Sequence, residues 1–388
     1  MPQNVLDRIP LGGIVSVRDR LLELQAKGRK VYRLESGDPS FSIPVHVRVA
    51  MEHALGAGHT HYTAGTGIKP LREALVRKLV EENRIPVNGP DRVFVTNGAM
   101  NGLYVTFRAL LEPGDEVIVP SPTWTETFDN VSLAGGTPIH VPLDEAHGFC
   151  WEPERVEAAI TRRTKALVIN SPHNPTGTVL PREDLEAIVK VAERHGLWVV
   201  SDEAYEHVLF DGLKHVSAGS LGYPKVVSVF SMSKSYAMSG LRVGYLACND
   251  DLIAERYTKL LRCTINGVNS VAQHGALAAI TGPQDDTRAM RAEYQKRRDA
   301  LWEAVQGVAL LRPYKPTGAF YLWARIGEGW KGGRSGWDMT DYLLERGVGS
   351  APGEVFGPAG AGHVRFAFSC ATEQVVAGAV VLKEALAG

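Results

Sequence analysis

Val226-Val-Ser-Val-Phe-Ser231-Met-Ser-Lys234-Ser-Tyr-Ala-Met-Ser-Gly240-Leu-Arg242-Val-Gly-Tyr-Leu-Ala247 places one lysine and one arginine between two apolar, β-rich runs. Runs of this kind predict strands, so the lysine is carried toward an interior where water is scarce. Burial disfavours an ammonium and lowers its pKa, which makes the amine nucleophilic near neutral pH. An arginine eight positions on suits a phosphate. Alone, Ser-x-Ser-Lys also describes an ordinary loop lysine.

Outward from this stretch, β-rich runs alternate with helical patterns from about Arg92 to Cys248. The runs are 93–96, 116–120, 137–141, 166–170, 197–201, 226–230 and 243–247. Such a βαβ rhythm predicts an α/β fold: a large domain whose mainly parallel seven-stranded sheet is covered by helices. Leu185, Ile188, Val189 and Ala192 fall at helical spacing between Pro181 and Gly196, and Leu71, Ala74, Leu75 and Leu79 make a similar stripe. From Asp285 a charged helical stretch, Arg288 to Gln306, leads into the strand-like runs 319–323 and 363–368. A smaller α+β domain is expected there, formed by the C-terminal part with the N-terminal segment. The expected boundaries are 1–45 for the arm, 46–284 for the large domain and 285–388 for the small one.

The 388 residues hold 42 Lys+Arg against 43 Asp+Glu, a net charge of −1 that supplies no basic field for nucleic acid and no polybasic membrane patch. Four cysteines without C-x-x-C spacing suggest neither a zinc site nor a disulfide framework. The N-terminus lacks a signal-peptide pattern, and no stretch approaches a membrane span. A cytoplasmic protein with small-molecule partners is expected, with no nucleic acid, membrane or metal.

Ligands of open parallel sheets gather at the carboxyl ends of the strands. Several chemistry-bearing segments stand just past a predicted strand: Thr96-Asn-Gly98-Ala99-Met100, Asn170-Ser-Pro-His-Asn174-Pro-Thr-Gly177, Ser201-Asp202-Glu203-Ala-Tyr205 and Ser231-Met-Ser233-Lys234. The first opens a helix on small residues, leaving backbone N–H groups free for a phosphate. Each segment has a plain reading as well: Asp202 as a helix cap, Asn174-Pro-Thr-Gly177 as a turn, Trp124 as a core aromatic and Arg365 as half of an ion pair.

Together, in this order, the segments resemble the class I/II, fold-type I aminotransferases of the aspartate-aminotransferase-like branch, from Gly37 to Arg365. The resemblance implies pyridoxal 5'-phosphate as cofactor and transfer of an amino group from an amino acid to a 2-oxo acid by ping-pong kinetics. It makes Lys234 the Schiff-base lysine and proton carrier, and Asp202 the partner of the pyridine nitrogen. Tyr205 and Asn174 become donors to the phenolic oxygen, and Trp124 the aromatic stacked on the ring. Gly98, Ala99, Met100, Ser231, Ser233 and Arg242 surround the phosphate. Tyr62 reaches it from the neighbouring subunit of a homodimer. Gly37 and Arg365, with Trp124 and Asn174, hold the substrate, Arg365 gripping its α-carboxylate.

Aspartate-using members of the branch commonly carry a lysine where Met100 stands and small hydroxyl residues near Leu11-Gly12-Gly13. The distal pocket is therefore expected to be apolar and to favour a neutral or hydrophobic amino acid; Glu126 leaves a basic side chain open. Two rival functions remain: a β- or γ-eliminating C–S lyase on the same fold, and a ligand-sensing, non-enzymatic aminotransferase-like domain.

Overall fold

The computed structural model describes residues 4–10 and 12–387, so Leu11 lies outside the described residues. Seven strands form the larger sheet: β1 (Val93–Thr96), β2 (Glu116–Ser121), β3 (Thr137–Pro142), β4 (Thr164–Asn170), β5 (Trp198–Asp202), β6 (Val226–Ser231) and β7 (Gly244–Ala247). Their spatial order is β1-β7-β6-β5-β4-β2-β3. Only β7 is reversed: it pairs antiparallel with both β1 and β6, while the other neighbours pair parallel. Six carboxyl ends therefore share one edge. Strands β1, β2, β5, β6 and β7 are buried along their whole length, the physical reason their sequences are continuous apolar runs rather than alternating ones.

The helix Arg182–His195 starts after Pro181 and ends on Gly196 at φ +66, a left-handed cap that glycine takes without steric cost. The helix Gly98–Leu110 follows β1 and presses on the sheet. A Cβ on Gly244 would stand 2.6 Å from Ala99 N, and one on Gly102 3.0 Å from Val229 Cγ1, so the missing side chains let the helix start sit against β6 and β7.

A second, antiparallel sheet has the order β10-β11-β9-β8, with β8 (Leu311–Tyr314), β9 (Tyr321–Ile326), β10 (Ala351–Pro352) and β11 (His363–Ala367). Helices Asp285–Val305 and Thr372–Leu386 share its core with Phe320, Phe366 and Phe368. Tyr32 and Leu34 join that core, and Tyr32 makes an isolated bridge to Val348, so the N-terminal segment is built into the core of the C-terminal part. β4 begins two residues earlier than expected, at Thr164, and β9 two residues later, at Tyr321 rather than Ala319. Ala319 takes φ +53 and gives its N–H to Val208 O at 2.9 Å, which ties residues 319–320 to a loop of the larger unit before the strand can start. Among the described residues no helix is long and apolar enough to cross a membrane.

Candidate active site

At the shared edge of β1, β4, β5 and β6, against the small sheet, lies a cavity of about 310 Å³. The chain delivers its walls from four crossovers. Lys234 follows β6, Asp202 ends β5, Asn170 ends β4 with Asn174 just beyond, and Ala99 and Met100 open the helix after β1. Trp124 follows β2, while Gly37 and Arg365 come from the small-sheet side. Tyr205, Ser231, Ser233 and Arg242 complete the predicted set that lines it.

Lys234 Nζ donates to Gly37 O at 2.7 Å, and burial pulls its pKa down to about 8, opposed by Asp38 and reinforced by Arg365 and Arg242. Asp202 is buried, and desolvation pushes its carboxyl up to about 6; the Ala204 N–H at 3.2 Å opposes the rise and Glu203 adds to it. Asn170 holds this corner together, donating to Asp202 O at 3.1 Å and accepting from Asn174 N at 2.9 Å.

Arg365 is 1% exposed on β11. One guanidinium nitrogen donates to Asn174 Oδ1 at 3.0 Å and another to Glu35 O at 2.8 Å, while among the described residues Nε has no partner and no carboxylate lies within ion-pair distance. A buried unpaired arginine is costly unless an anion arrives. The plain ion-pair reading of Arg365 does not hold.

The second cationic corner belongs to Arg242. Its backbone is left-handed at φ +55 and its Nη1 donates to Ser239 O at 2.7 Å. A Cβ on Gly98 would fall 2.6 Å from Arg242 Nη2, so glycine is what allows the guanidinium to lie against the helix start. Ser231 caps the short turn carrying Lys234, accepting from Ser233 N at 3.1 Å. Together these groups make a concave, donor-rich cradle suited to a phosphate.

Tyr62 is set apart. It is 90% exposed and does not line this chain's cavity. Glu126 also lies off the wall, bonded to Thr125, with burial raising its carboxyl above the usual range. Sequence reasoning passed over Ile14, Asp38 and Tyr321, which do line the cavity. Tyr321 lies in an apolar strand and reads as core; only the fold reveals its hydroxyl 2.8 Å from that of Tyr205.

A buried lysine of lowered pKa, a buried carboxylate of raised pKa, a donor-rich cradle and a buried arginine meet in one cavity, and these residues fit pyridoxal phosphate as fold-type I enzymes use it. The comparisons place the chain within that class. The family described as aminotransferase class I and II matches residues 29–381, and the chain belongs to it. It is 38% identical over 365 residues to an aspartate/prephenate aminotransferase of Thermus thermophilus, covering 93% of this chain and 92% of that protein. It is 34% identical to an aspartate aminotransferase of Pyrococcus abyssi, with 95% of each covered. The solved aspartate aminotransferase from Thermus thermophilus with maleate superposes with a TM-score of 0.93 at 36% identity, covering 100% of both chains. An alanine aminotransferase from Pyrococcus furiosus gives 0.93 at 30% identity, covering 99% of each chain. The protein is a pyridoxal-phosphate-dependent aminotransferase of class I/II.

Proposed function

We propose that this aminotransferase takes its amino group from an L-amino acid with a neutral or hydrophobic side chain and passes it to a 2-oxo acid by ping-pong kinetics. The observation that carries the reading is the cavity wall: Met100 and Ile14 line it, and among the described residues the only basic liners are Lys234, Arg242 and Arg365. Met100 is held there by Asn130 Nδ2, which lies 3.2 Å from its sulfur. With those three cations committed elsewhere, none remains for a side-chain carboxylate.

Bound pyridoxal phosphate supplies the electron sink that stabilises negative charge at the substrate's α-carbon. The chain's residues direct it. Arg365, with Gly37, would fix the α-carboxylate through a charged hydrogen-bonded fork, since its guanidinium lines the cavity with no ion-pair partner among the described residues. Lys234 Nζ, once released, takes the proton from the α-carbon; its low pKa leaves a usable fraction of neutral amine at pH 7. Asp202 would pair with the pyridine nitrogen, its ionised carboxylate stabilising the protonated ring while the ring's positive charge opposes the burial that raises the carboxyl pKa. Tyr205 and Asn174 would donate to the phenolic oxygen, Trp124 would cover the ring, and Gly98, Ala99, Met100, Ser231, Ser233 and Arg242 would hold the phosphate end. Tyr62 acts in the neighbouring site of a homodimer; its exposure, with that of Val45, Val49 and Leu55 nearby, supports this reading. The units 1–45, 46–284 and 285–388 are the proposed domains.

A panel of amino donors with 2-oxoglutarate and pyruvate as acceptors tests the substrate class. Leucine-, methionine- or phenylalanine-like donors are expected to outperform aspartate, with parallel double-reciprocal plots, and Met100→Lys is expected to raise aspartate use. Aspartate as much the best donor of the unaltered protein would sink the reading. Pyruvate and ammonia released from cysteine derivatives without an acceptor would identify the eliminating lyase instead.

A further inference from the structure

We propose that Tyr321 is a positioning residue that relays the state of the Arg365 clamp to Tyr205. The inference rests on the reading of Tyr205 given above. The hydroxyl of Tyr205 has one proton, and if that proton goes to the cofactor's phenolic oxygen, Tyr205 Oη can only accept from Tyr321, 2.8 Å away. Tyr321 then donates to Tyr205, and Tyr205 donates onward. A donor that itself accepts a hydrogen bond is polarised and strengthened, by roughly 10–30% per bond in condensed phase.

The other end of the relay is the ring of Tyr321. The Arg365 guanidinium sits 4.2 Å from its centroid. Tyr321 is 2% exposed, and a Cβ on Gly37 would lie 2.2 Å from its hydroxyl oxygen, so the phenol is fixed between clamp and cofactor end. Burial raises the pKa of Tyr321 and the Arg365 cation works against that rise, which keeps the phenol a stronger donor. A carboxylate docking on Arg365 cancels part of the cation. Tyr321 then donates less strongly, Tyr205 follows, and the phenolic oxygen of the cofactor loses stabilisation as an anion. Asn174 offers a parallel route, since it accepts directly from Arg365; the relay through Tyr321 adds to it.

The readout is the pH at which the visible absorbance of the bound cofactor switches, a property of the loaded protein independent of turnover. In Tyr321→Phe this pH is expected to rise by about 0.1–0.6 without ligand, from the fractional strengthening above applied to a charge-assisted bond. Tyr205→Phe is expected to raise it further, and the double variant to match Tyr205→Phe, because Tyr321 acts through Tyr205. Saturating maleate or 3-phenylpropanoate, carboxylates without an amino group, is expected to raise the switch of the unaltered protein and to raise it less in Tyr321→Phe. An unmoved switch in Tyr321→Phe beside a raised one in Tyr205→Phe overturns the relay and leaves the reading of Tyr205 intact. An unmoved switch in Tyr205→Phe overturns both. A ligand-induced rise of equal size with and without the Tyr321 hydroxyl also overturns the relay, as would no rise in the unaltered protein.

Discussion

The lysine at the centre of the site gives a prediction that can be followed without cofactor. An amine attacks only when neutral, and with a pKa of about 8 roughly a tenth of Lys234 is neutral at pH 7, against roughly one part in 3,000 at the ordinary value of 10.5. The gain is about 300-fold. Its cause is burial, which the Asp38 carboxylate partly offsets, so Asp38→Asn should lower the pKa further and raise reactivity at neutral pH. The assay is dinitrophenylation of the cofactor-free protein by 1-fluoro-2,4-dinitrobenzene, an uncharged reagent, with labelling of Lys234 followed by peptide mass over pH 6–11. The rate should rise to a plateau with its midpoint near 8, and the midpoint should fall in Asp38→Asn. Stability must answer to the same shift. A lysine whose folded pKa lies below its unfolded one destabilises the fold by a constant amount below the folded pKa, and that cost disappears as pH rises through the window from about 8 to 10.5. The width of the window at about 1.36 kcal/mol per pH unit gives an upper value of about 3 kcal/mol, and partial solvent access reduces it toward about 2. Lys234→Met should be free of this pH-dependent cost. A labelling midpoint near 10, or a midpoint that climbs in Asp38→Asn, would refute the argument.

Two further outcomes follow from packing. Lys78 and Glu206 form a buried pair 2.5 Å apart, and Asn83 donates to the same carboxylate oxygen at 2.8 Å. Lys78→Met strands that carboxylate and should cost about 3–5 kcal/mol, seen as a lower thermal midpoint at fixed protein concentration, while Lys78→Met with Glu206→Gln should recover most of it; equal midpoints for single and double variants would contradict the pairing. Burial alone would raise the Glu206 pKa, but Lys78, His207 and His215 override it and hold the group near 2, so its stabilising contribution is present above about 4.5 and is lost as pH falls toward about 2. Gly98→Ala must place a methyl 2.6 Å from Arg242 Nη2 at a φ of +78, a strain on the order of 1–2 kcal/mol that should weaken cofactor binding about tenfold by tryptophan fluorescence titration; an unchanged affinity would remove Arg242 from the phosphate end.

The part of the site legible in the sequence is the part the sheet itself positions. Lys234, Asp202, Asn174 and Gly98 each stand within a few residues of a buried strand, and a strand buried on both faces advertises itself as a continuous apolar run. The parallel topology then brings their ends to one edge without further information. What the sequence hides is pairing across long chain separations, where neither partner is unusual by itself. Arg365 meets Asn174 across 191 positions and Tyr205 meets Tyr321 across 116; a tyrosine in an apolar strand gives no sign that its hydroxyl, rather than its ring, is the group in use. Lys78 shows the same thing in the core. It lies on the apolar stripe of the helix Lys69–Glu81, one residue before Leu79, and is only 8% exposed because Glu206, 128 positions on, supplies an anion there. A strict stripe rule would have kept a lysine out of that position. Local pattern therefore locates the cofactor end of the cavity, whose groups ride on consecutive strand ends, while the substrate end depends on contacts between the two sheets. Met100 sits at the border of both: its helix start is fixed by β1, but its neighbours, Asn130 at its sulfur and Ile14 on the same cavity wall, are settled by tertiary packing. The proposed donor preference thus rests on the least sequence-legible wall of the site.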